Sequence, residues 1–465
     1  MILGAVVLAA GKGTRMNSAL PKVLHPLAGR PMIGWVLESL SGVEIAHTVV
    51  VIGHGADAVA VALPDGVTTQ VQDQQLGTGH ATAVGLAGLP ESCDTVLVLC
   101  GDTPLVSGDL ISGLVAVHQS SGHAATMVTT VMPEAGCYGR VIRDASGAVT
   151  AVVEAGDASA VEREVREINA GIFMFDRAVL SAALARVGSS NAQGEVYLPD
   201  VLPLMGASIG TVITDDPDVV LGVNTLVDLA ICELILQSRL RETLMLEGVT
   251  IPDPSAVYLE VDVRVGRDTV LLPGVHLHGP TVIGEGCVIG PNCVIEASTI
   301  ADGARVINAV IRESHIGLGA SVGPFAFVRP GTVLAGKAKI GTFVETKNAR
   351  IGERAKVPHL SYIGDADIGE DTNIGAGNIT ANYDGFRKHR TSVGARVKTG
   401  SDCVLVAPVT IGDDAMTGAG SIITDDVPAG ALGIARARQS VIEDFTRRAA
   451  AKARAASHDS GGHQA

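Results

Sequence analysis

Residues 316–340 read I-G-L-G-A-S-V-G-P-F-A-F-V-R-P-G-T-V-L-A-G-K-A-K-I, with an aliphatic side chain at every sixth position. These positions are Ile316, Val322, Val328, Leu334 and Ile340. The same step joins Ile283, Ile289 and Ile295, and again Ile351, Val357 and Ile363. A hexapeptide period predicts a parallel β-helix, in which each unit supplies one face of a triangular coil and points its aliphatic side chain towards the axis.

The composition agrees with a narrow, turn-rich repeat. Glycine accounts for 56 of the 465 residues, whereas aromatic residues make up only 3%. Glycine is therefore well above its usual share of ~7%. Few aromatic side chains fit inside so narrow an axis, which explains their scarcity.

Before Gly248 the pattern is that of an α/β domain with a Rossmann-like, mostly parallel sheet. Short aliphatic runs alternate there with longer mixed segments and end in glycine or polar residues. The runs lie at Ala5–Ala9, Thr48–Ile52, Thr95–Leu99, Thr126–Val131 and Gly171–Phe175. Residues 225–248 carry leucines at helical spacing, and we interpret them as a connecting helix.

A chain of 465 residues has room for two or three domains of roughly 100–200 residues each. Residues 381–390 interrupt the six-residue period with a polar stretch, so we expect a protruding loop there. The expected organisation is an α/β domain over 1–224, a linker helix over 225–248, a β-helix over 249–442 and a flexible tail over 443–465.

Charge and cysteine content exclude several classes of protein. The chain has 34 basic and 49 acidic residues, a net charge of −15, which disfavours nucleic-acid binding through a basic surface. Its seven cysteines are scattered without paired spacing, which argues against disulfides or a zinc site and suits a reducing cytoplasm. The apolar start lacks a preceding basic residue and no run approaches the ~18 residues of a membrane span, so we expect neither export nor membrane insertion.

Residues 6–24 read V-V-L-A-A-G-K-G-T-R-M-N-S-A-L-P-K-V-L and place a glycine-rich turn directly after the first predicted strand. Backbone N–H groups in such a turn can cradle phosphate oxygens, while Arg15 and Lys22 can neutralise their charge. The spacing differs from that of a Walker A loop. On this motif alone, a purely structural turn is an equally good interpretation.

The whole string resembles the signature of sugar-nucleotide pyrophosphorylases, and other segments match that family in order. They are Q-D-Q-Q-L-G-T-G-H at 72–80, L-C-G-D-T-P at 99–104, Y-G-R at 138–140, V-E at 153–154, N-A-G at 169–171 and G-V-N at 222–224. The resemblance implies contacts to UDP-N-acetylglucosamine from Ala9, Ala10, Gly11, Gly13, Thr14, Lys22, Gln72, Gly77, Thr78, Gly139, Glu154, Asn169 and Asn224. Among these, it implies that Gln72, Gly77 and Thr78 contact the base and that Gly139, Glu154 and Asn169 hold the sugar.

The same resemblance makes Asp102 and Asn224 the ligands of Mg²⁺, and oxygen ligands are those that such a hard cation prefers. The implied reaction is in-line attack by a sugar 1-phosphate on the α-phosphorus of UTP, with release of pyrophosphate. Such a transfer depends on positioning and charge stabilisation, for which Arg15 and Lys22 are the candidate catalytic residues.

Residues that lie off the repeat extend the resemblance to the second half. Arg329, Lys347, His359 and the pair Asn382-Tyr383 match the acetyltransferase half of the bifunctional N-acetylglucosamine-1-phosphate uridylyltransferase/glucosamine-1-phosphate N-acetyltransferases. The likeness covers about residues 3–442. It implies a left-handed β-helix and a homotrimer, with small-molecule substrates and with acetyl-CoA held between coils of neighbouring subunits.

By this likeness the amino sugar and its phosphate are bound by Arg329, Lys347, Tyr362 and Asn373. Acetyl-CoA is contacted by Ala376, Asn382, Tyr383, Ser401, Ala419 and Arg436, and Asn382 also positions the sugar. Acetyl transfer requires a neutral amine, and His359 is a suitable general base because an imidazole of ordinary pKa, about 6.5, accepts protons near neutral pH. The role of Glu345, close in sequence to Lys347, stays open.

Cys100, Cys137 and Thr225 depart from the family pattern, which leaves fine contacts to the sugar and nucleotide in doubt. The β-helix could also serve only to assemble or regulate a single-activity nucleotidyltransferase. Consumption of acetyl-CoA in the presence of glucosamine 1-phosphate separates these two interpretations. A non-catalytic nucleotide-sugar sensor is disfavoured by Asp102 and Asn224 and would release no pyrophosphate.

Overall fold

The computed structural model describes residues 2–206 and 208–459. The chain forms two compact units, one of Met1–Val265 with His276–Thr281 and one of Gly266–Val275 with Val282–Ala465. No helix in the described residues has the length and apolar character needed to span a bilayer.

A mixed sheet forms the centre of the first unit. The strands of this α/β region are β1 (Leu3–Ala9), β2 (Pro26–Leu27), β3 (Arg30–Pro31), β4 (His47–Ile52), β5 (Thr68–Val71), β6 (Thr95–Cys100), β7 (Ala125–Val131), β8 (Arg140–Arg143), β9 (Val149–Val153), β10 (Glu167–Asp176) and β11 (Ile209–Thr214). The main path runs β11-β7-β10-β6-β1-β4-β5, and along it β10 is antiparallel to both neighbours. All five aliphatic runs predicted as strands are strands, and the prediction of a mostly parallel sheet is confirmed.

Helices cover both faces of this sheet. They are α1 (Met32–Glu38), α2 (Ala56–Val61), α3 (Thr78–Gly88), α4 (Gly108–Ser121), α5 (Ala160–Arg163), α6 (Arg177–Leu184) and α7 (Leu226–Leu246). Short 3₁₀ turns lie at Thr14–Met16, Lys22–Leu24, Leu198–Leu204, Pro217–Val220 and Pro254–Ala256.

Alternation along the strands divides the core between the two faces. In β1, Ala5 and Val7 join a cluster with Leu97 and Ile111, whereas Val6 joins the opposite cluster with Phe173. This is the period of two expected where successive side chains of a strand point to opposite faces. The sheet is buried on both sides, which explains why its strands are near-continuous aliphatic runs.

Helix α7 packs against the core of the first unit and is therefore more than a connecting segment. Cys232 and Leu236 are buried together with Met16, Leu27 and Val223 in a third apolar cluster. The helix begins at a capping box, in which Thr225 and Asp228 each satisfy the other's backbone N–H. Residues 225–248 therefore contribute to the core beneath the glycine-rich turn.

The second unit is a solenoid of short parallel strands in three sheets. One sheet contains Val294–Glu296, Ala309–Arg312, Ala326–Val328, Glu345–Lys347, Tyr362–Gly364, Ile379–Ala381, Val404–Val406 and Ile422–Ile423. The next contains Val282–Ile283, Thr299–Ile300, His315–Ile316, Val333–Leu334, Arg350–Ile351, Ala366–Ile368, Thr391–Val393 and Val409–Ile411. The third contains Val270–Leu271, Val288–Ile289, Arg305–Val306, Ser321–Val322, Lys339–Thr342 and Lys356–His359, and Met416–Thr417 pairs with Leu432–Gly433.

The first unit also contains the strands Val257–Leu259 and Arg264–Val265, and the strand Val275–His278 belongs to it from His276 onwards. In the second unit the side chains of the six-residue period face the interior, and Ile316, Val328 and Ile340 are fully buried. The predicted parallel β-helix is confirmed in its period and in the direction of its strands.

One coil carries a long insertion. Val393 pairs with Ile368, which lies 25 residues earlier in the chain (393 − 368). Ile368 in turn pairs with Ile351, which lies only 17 residues earlier (368 − 351). The additional residues form the irregular segment 382–390, where Tyr383 and Phe386 are 63% and 92% exposed. The predicted protruding loop is confirmed.

The segment expected to be a flexible tail, 443–465, contains a helix at Phe445–Asp459. Its run of alanines explains the helix, because alanine has the highest helix propensity of all residues. Residues 460–465 lie outside the described part of the chain.

The packing of α7 yields a stability prediction. We expect Leu236→Ala to lower the free energy of unfolding by about 2–5 kcal/mol, because a buried leucine leaves a cavity when truncated. Leu234→Ala, on the exposed side of the same helix, should change it by less than about 0.5 kcal/mol. Urea unfolding of the full chain, followed by the single tryptophan, measures both; equal effects would contradict the assignment of α7 to the core.

Candidate active sites

A cleft opens in the first unit at the edge where β1 and β6 end. It has two adjoining lobes, one of about 790 Å³ and one of about 390 Å³. Because β10 runs antiparallel, the start of this strand reaches the same edge. Ligands of open α/β sheets bind at this edge, outside the carboxyl ends of the parallel strands. Both lobes are lined by Arg15, Cys100, Asp102, Gln193 and Asn224.

The larger lobe gathers the residues predicted to bind the nucleotide. Its lining includes Ala10, Gly11, Gly13, Thr14, Lys22, Gln72, Gly77 and Thr78. Gly13 has a φ of 59°, and a Cβ there would lie 2.8 Å from the Cβ of Lys22, so glycine is required for the turn. Ala9, the remaining predicted residue of this segment, is buried as the last residue of β1.

Gln72 is fixed at the wall of the larger lobe. Its backbone N–H donates to Ile52 O at 2.8 Å, and its amide nitrogen lies 3.2 Å from Gly77 O and 2.9 Å from His80 Nδ1. Thr78 begins α3 and accepts a hydrogen bond at Oγ1 from the N–H of Leu198 at 3.0 Å. These bonds preorganise the segment predicted to read the base.

Two cationic side chains converge on the predicted metal ligands. The Nζ atom of Lys22 lies 2.5 Å from Asp102 Oδ2 and donates to Asn224 Oδ1 at 3.1 Å. Arg15 donates to the same Asn224 oxygen at 2.7 Å. The carboxylate and amide oxygens therefore face one point, which the ammonium group of Lys22 occupies.

The chain holds these two oxygens in place by backbone contacts. The N–H of Val223 donates to Asp102 O at 2.9 Å, which ties the two segments together beside the cleft. Asp228 accepts from the N–H groups of Asn224 and Thr225 at 2.9 and 2.8 Å. Thr225, which departs from the family pattern, thus serves as the N-cap of α7.

The smaller lobe gathers the residues predicted to bind the sugar, and Gly139, Glu154 and Asn169 line it. The N–H of Asn169 donates to Gly139 O at 2.9 Å, which joins two of these segments. The pairing of β10 with β7 shifts register between Asn169 and Phe173. Bulges of this kind often re-aim side chains next to functional sites.

Burial changes the proton affinity of two groups in the cleft. Desolvation raises the pKa of Glu154 above its ordinary value, assisted by the charges of Asp200 and Asp157 and opposed by Arg140. Desolvation likewise raises the pKa of the Cys100 thiol to about 12, with Asp102 adding to the shift. Cys100 is therefore a neutral thiol at physiological pH. The other cysteine that departs from the family pattern, Cys137, is exposed at the smaller lobe.

In the second unit, strand register stacks several predicted residues on one face. Glu345 pairs with Phe327 on one side and Tyr362 on the other, and Lys347 pairs with Gly364. A Cβ at Gly364 would collide with the hydroxyl group of Tyr362, so the absence of a side chain there makes room for the phenol.

A group of cations lies on this face. Arg329 Nη1 contacts Glu345 Oε1 at 2.7 Å, which gives Glu345 a partner. Lys388 and, more weakly, Arg329 lower the pKa of the Lys347 ammonium group, and the carboxylate of Asp365 opposes this shift. Mutual repulsion between cations marks a place that favours an anion. Lys388 was not among the predicted residues, because it lies in the insertion, where no repeat position indicates where its side chain points.

Asp365 anchors the start of the insertion. Its two carboxylate oxygens accept hydrogen bonds from Asn348 Nδ2 at 2.6 Å and from Asn382 Nδ2 at 2.5 Å. Tyr383 forms an antiparallel bridge with Lys388, and its hydroxyl group donates to Gly385 O at 2.6 Å. The predicted Asn382-Tyr383 pair is therefore held at the base of an ordered loop.

His359 is exposed at the end of the strand Lys356–His359. Its carbonyl oxygen accepts from Ser361 Oγ at 2.7 Å and from the N–H of Gly377 at 3.3 Å. Within the described residues the imidazole ring forms no hydrogen bond, so both ring nitrogens are accessible.

The remaining predicted residues follow one corner of the solenoid. The carbonyl oxygen of Ala376 accepts from the N–H of Asp402 at 2.7 Å, and that of Ser401 accepts from Gly420 at 2.8 Å, next to Ala419. Asn373 is exposed on the strand position that precedes this corner, between Lys356 and Lys398. Arg436 is exposed beyond the last coil.

Comparison with known proteins identifies the family. Residues 5–167 match the MobA-like NTP transferase domain, and residues 262–297 match the bacterial transferase hexapeptide (six repeats). The chain is 50% identical to the "Bifunctional protein GlmU" of Streptomyces avermitilis, with 96% of each chain covered. Proteins of the same name from Heliobacterium modesticaldum and a Mycobacterium species are 50% and 47% identical, over 96% and 98% of this chain and 98% and 94% of theirs.

The chain belongs to the GlmU family. Its fold is therefore an α/β nucleotidyltransferase domain followed by a left-handed parallel β-helix of hexapeptide repeats. The prediction of a bifunctional enzyme of UDP-N-acetylglucosamine synthesis, which combines uridylyl transfer with acetyl transfer, is confirmed.

The raised pKa of Glu154 predicts a pH-dependent cost to stability. A carboxyl group whose pKa is raised by folding binds more protons in the folded state, so its contribution to stability falls as pH rises above the ordinary value of 4.5. Glu154→Gln should therefore stabilise the protein at pH 7 and have little effect at pH 4. It should also lower kcat/KM for the sugar substrate by about tenfold, as expected for one lost charged hydrogen bond.

Thermal unfolding between pH 4 and pH 8 measures the stability effect, with the exposed Glu91→Gln as the control. A difference from wild type that stays constant with pH would contradict the buried-carboxylate assignment.

Proposed function

We propose that the cleft of the first unit transfers the uridylyl group of UTP to N-acetylglucosamine 1-phosphate. The observation that carries this proposal is the convergence of Asp102, Asn224, Lys22 and Arg15 where the two lobes meet. A nucleotide in the larger lobe and a sugar phosphate in the smaller lobe would bring their phosphates to this point. The reacting phosphates then lie among two cations and two oxygen ligands.

In the proposed reaction, Arg15 and Lys22 neutralise the phosphate charges, and backbone N–H groups near Gly11 and Gly13 donate hydrogen bonds to the phosphate oxygens of UTP. The phosphate oxygen of the sugar attacks the α-phosphorus and the bond to pyrophosphate breaks, so no protein nucleophile is required. Charge stabilisation and alignment supply most of the acceleration in phosphoryl transfers of this kind.

The residues at the junction fit Mg²⁺, the cofactor that we propose. Asp102 and Asn224 offer an anionic and a neutral oxygen directed at one point, and Mg²⁺ takes its other ligands from water and substrate phosphates. This explains why the described residues contain no cluster of three or more acidic, histidine or cysteine ligands. When bound, the cation would neutralise charge on the triphosphate.

We expect Asp102→Ala to lower uridylyl transfer by at least about 100-fold, the scale of loss for a group that stabilises developing charge. Acetyl transfer should keep its wild-type rate, which controls for folding. The exposed Asp65→Ala serves as a matched control that should leave both activities unchanged. UDP-N-acetylglucosamine formation is measured over a range of Mg²⁺ concentrations, and wild-type rates at limiting Mg²⁺ would rule out Asp102 as a ligand.

The second unit is the proposed site of N-acetylation of glucosamine 1-phosphate by acetyl-CoA. Arg329, Lys347 and Lys388 form a cationic group suited to the sugar phosphate, and Tyr362 lies on the same face. His359 then removes a proton from the ammonium group of the sugar, and the free amine attacks the thioester carbonyl of acetyl-CoA. The C–S bond breaks as the amide forms, and coenzyme A leaves as a thiol that carries the second amine proton. An accessible imidazole ring suits this role, because the base must reach the substrate amine directly.

The proposal includes a homotrimer that assembles through the β-helix. The substrates of this enzyme are small molecules, and its proposed location is the cytoplasm. The rings of Phe325 and Phe343 stack with their centroids 5.5 Å apart, and each side chain is 58% exposed. Leu360, which is also exposed, extends this apolar surface at the same corner of the coil. Exposed apolar patches of this kind mark interfaces, and a second copy of the chain is the occupant that we propose.

His359→Ala should lower acetyl transfer by about 10²–10⁴-fold, the loss typical of a positioned general base. His315, another exposed histidine of the solenoid, offers the matched variant His315→Ala, which should keep full activity. Coenzyme A release is followed as a function of pH, and a higher pH should partly rescue His359→Ala because more substrate amine is already neutral. Loss of both activities together with the oligomeric state would show that His359 is structural.

A further inference from the structure

Gln193 occupies the junction of the two lobes without an assigned role. It lines both the larger and the smaller lobe, a property that it shares with Arg15, Asp102 and Asn224. Its side chain is exposed, and its carboxamide forms no hydrogen bond with any other described residue. A polar group that lines the junction of the two lobes and has no hydrogen-bond partner among the described residues is available to a substrate.

The loop that carries Gln193 is shaped by Asn191. The Oδ1 atom of Asn191 accepts from the N–H groups of Gln193 at 3.2 Å and of Glu195 at 3.1 Å. Its Nδ2 atom donates back to Glu195 O at 2.5 Å. Three hydrogen bonds from one side chain close residues 191–195 into a compact turn.

This turn is hydrogen-bonded to residues adjacent in sequence to the linings of both lobes, Asp157 after Gly156 and Leu76 between Gln75 and Gly77. On the sugar side, the N–H of Ala192 donates to Asp157 Oδ1 at 2.8 Å. On the nucleotide side, the N–H of Val196 donates to Leu76 O at 2.7 Å, and Gly79 donates to Val196 O at 2.8 Å. Gln193 therefore lies on a fixed bridge between the segment predicted to read the base and the wall of the sugar lobe.

We propose that the carboxamide of Gln193 is a substrate-contacting group that donates a hydrogen bond to the phosphate of N-acetylglucosamine 1-phosphate. This inference rests on the proposed uridylyl transfer. The sugar phosphate is favoured over UTP because Ala192, the residue directly before Gln193, is hydrogen-bonded through its N–H to Asp157 on the sugar side, whereas the attachment to the nucleotide side lies three residues further along, at Val196. A neutral donor suits this place, because Arg15 and Lys22 already supply the positive charge.

The test compares Gln193→Ala and Gln193→Glu with the control Ala192→Ser, which changes a neighbouring residue outside the cleft lining. Gln193→Ala should raise KM for N-acetylglucosamine 1-phosphate about tenfold, the effect of one hydrogen bond to a charged group, and change KM for UTP less than about threefold. Gln193→Glu should be worse than alanine, because a carboxylate repels the phosphate. Ala192→Ser and all melting temperatures should match wild type, since both side chains are exposed.

Wild-type formation of UDP-N-acetylglucosamine is measured first, and its absence would overturn the proposed function itself. With an active wild type, unchanged kinetics of Gln193→Ala would overturn the inference. A rise in KM for UTP alone would also overturn it, by moving the contact to the nucleotide. Equal activity of the glutamate and wild-type enzymes would exclude a phosphate contact.

Discussion

A single backbone hydrogen bond, from Val223 to the carbonyl group of Asp102, joins the two segments on which the first site depends. Asp102 follows β6 and Asn224 precedes α7, so the two oxygens come from parts of the chain that are far apart in sequence. The buried packing of α7 beneath the glycine-rich turn keeps this junction in register. The stability of the core and the geometry of the cleft are therefore two aspects of one constraint.

Both sites group charged side chains whose interactions with one another a bound ligand would change. Lys22 forms an ion pair with Asp102, and Lys22 and Arg15 donate to the neutral amide oxygen of Asn224, whereas Glu154 lies in a wall where burial and neighbouring carboxylates oppose its ionisation. In the second unit the like charges of Lys347 and Lys388 lie side by side. The ionised Glu154 carboxylate and the neighbouring lysine cations are unfavourable in isolation, and a ligand that donates hydrogen bonds to the former or brings negative charge to the latter relieves this cost. Binding sites commonly sacrifice stability in this way.

Features with a local periodic signal could be predicted from the sequence. The six-residue spacing of Ile316 to Ile340 located the β-helix, and uninterrupted aliphatic runs located β1 and β6. Pairings between distant segments carry no such signal, so neither the antiparallel direction of β10 nor the packing of α7 could be derived. Helical spacing in residues 225–248 indicates a helix but not the surface that it covers.

The site residues likewise divide into those that the sequence predicts and those that it does not. Asp102, Asn224 and Lys347 stand in motifs that resemble those of a known family, so the sequence predicts each as a site residue. Gln193 and Lys388 lie in irregular loops, where the direction of a side chain depends on tertiary contacts such as those of Asn191 and Asp365.

The β-helix also shows how such a loop is accommodated. The insertion leaves after one regular strand and returns to pair in register at the next, with Asn382 bound to Asp365 at one end and Arg390 to Asp367 at the other. The coil thus accommodates the insertion without loss of strand alignment, because the strands on either side pair directly with their neighbours while residues 382–390 stay outside the ladder.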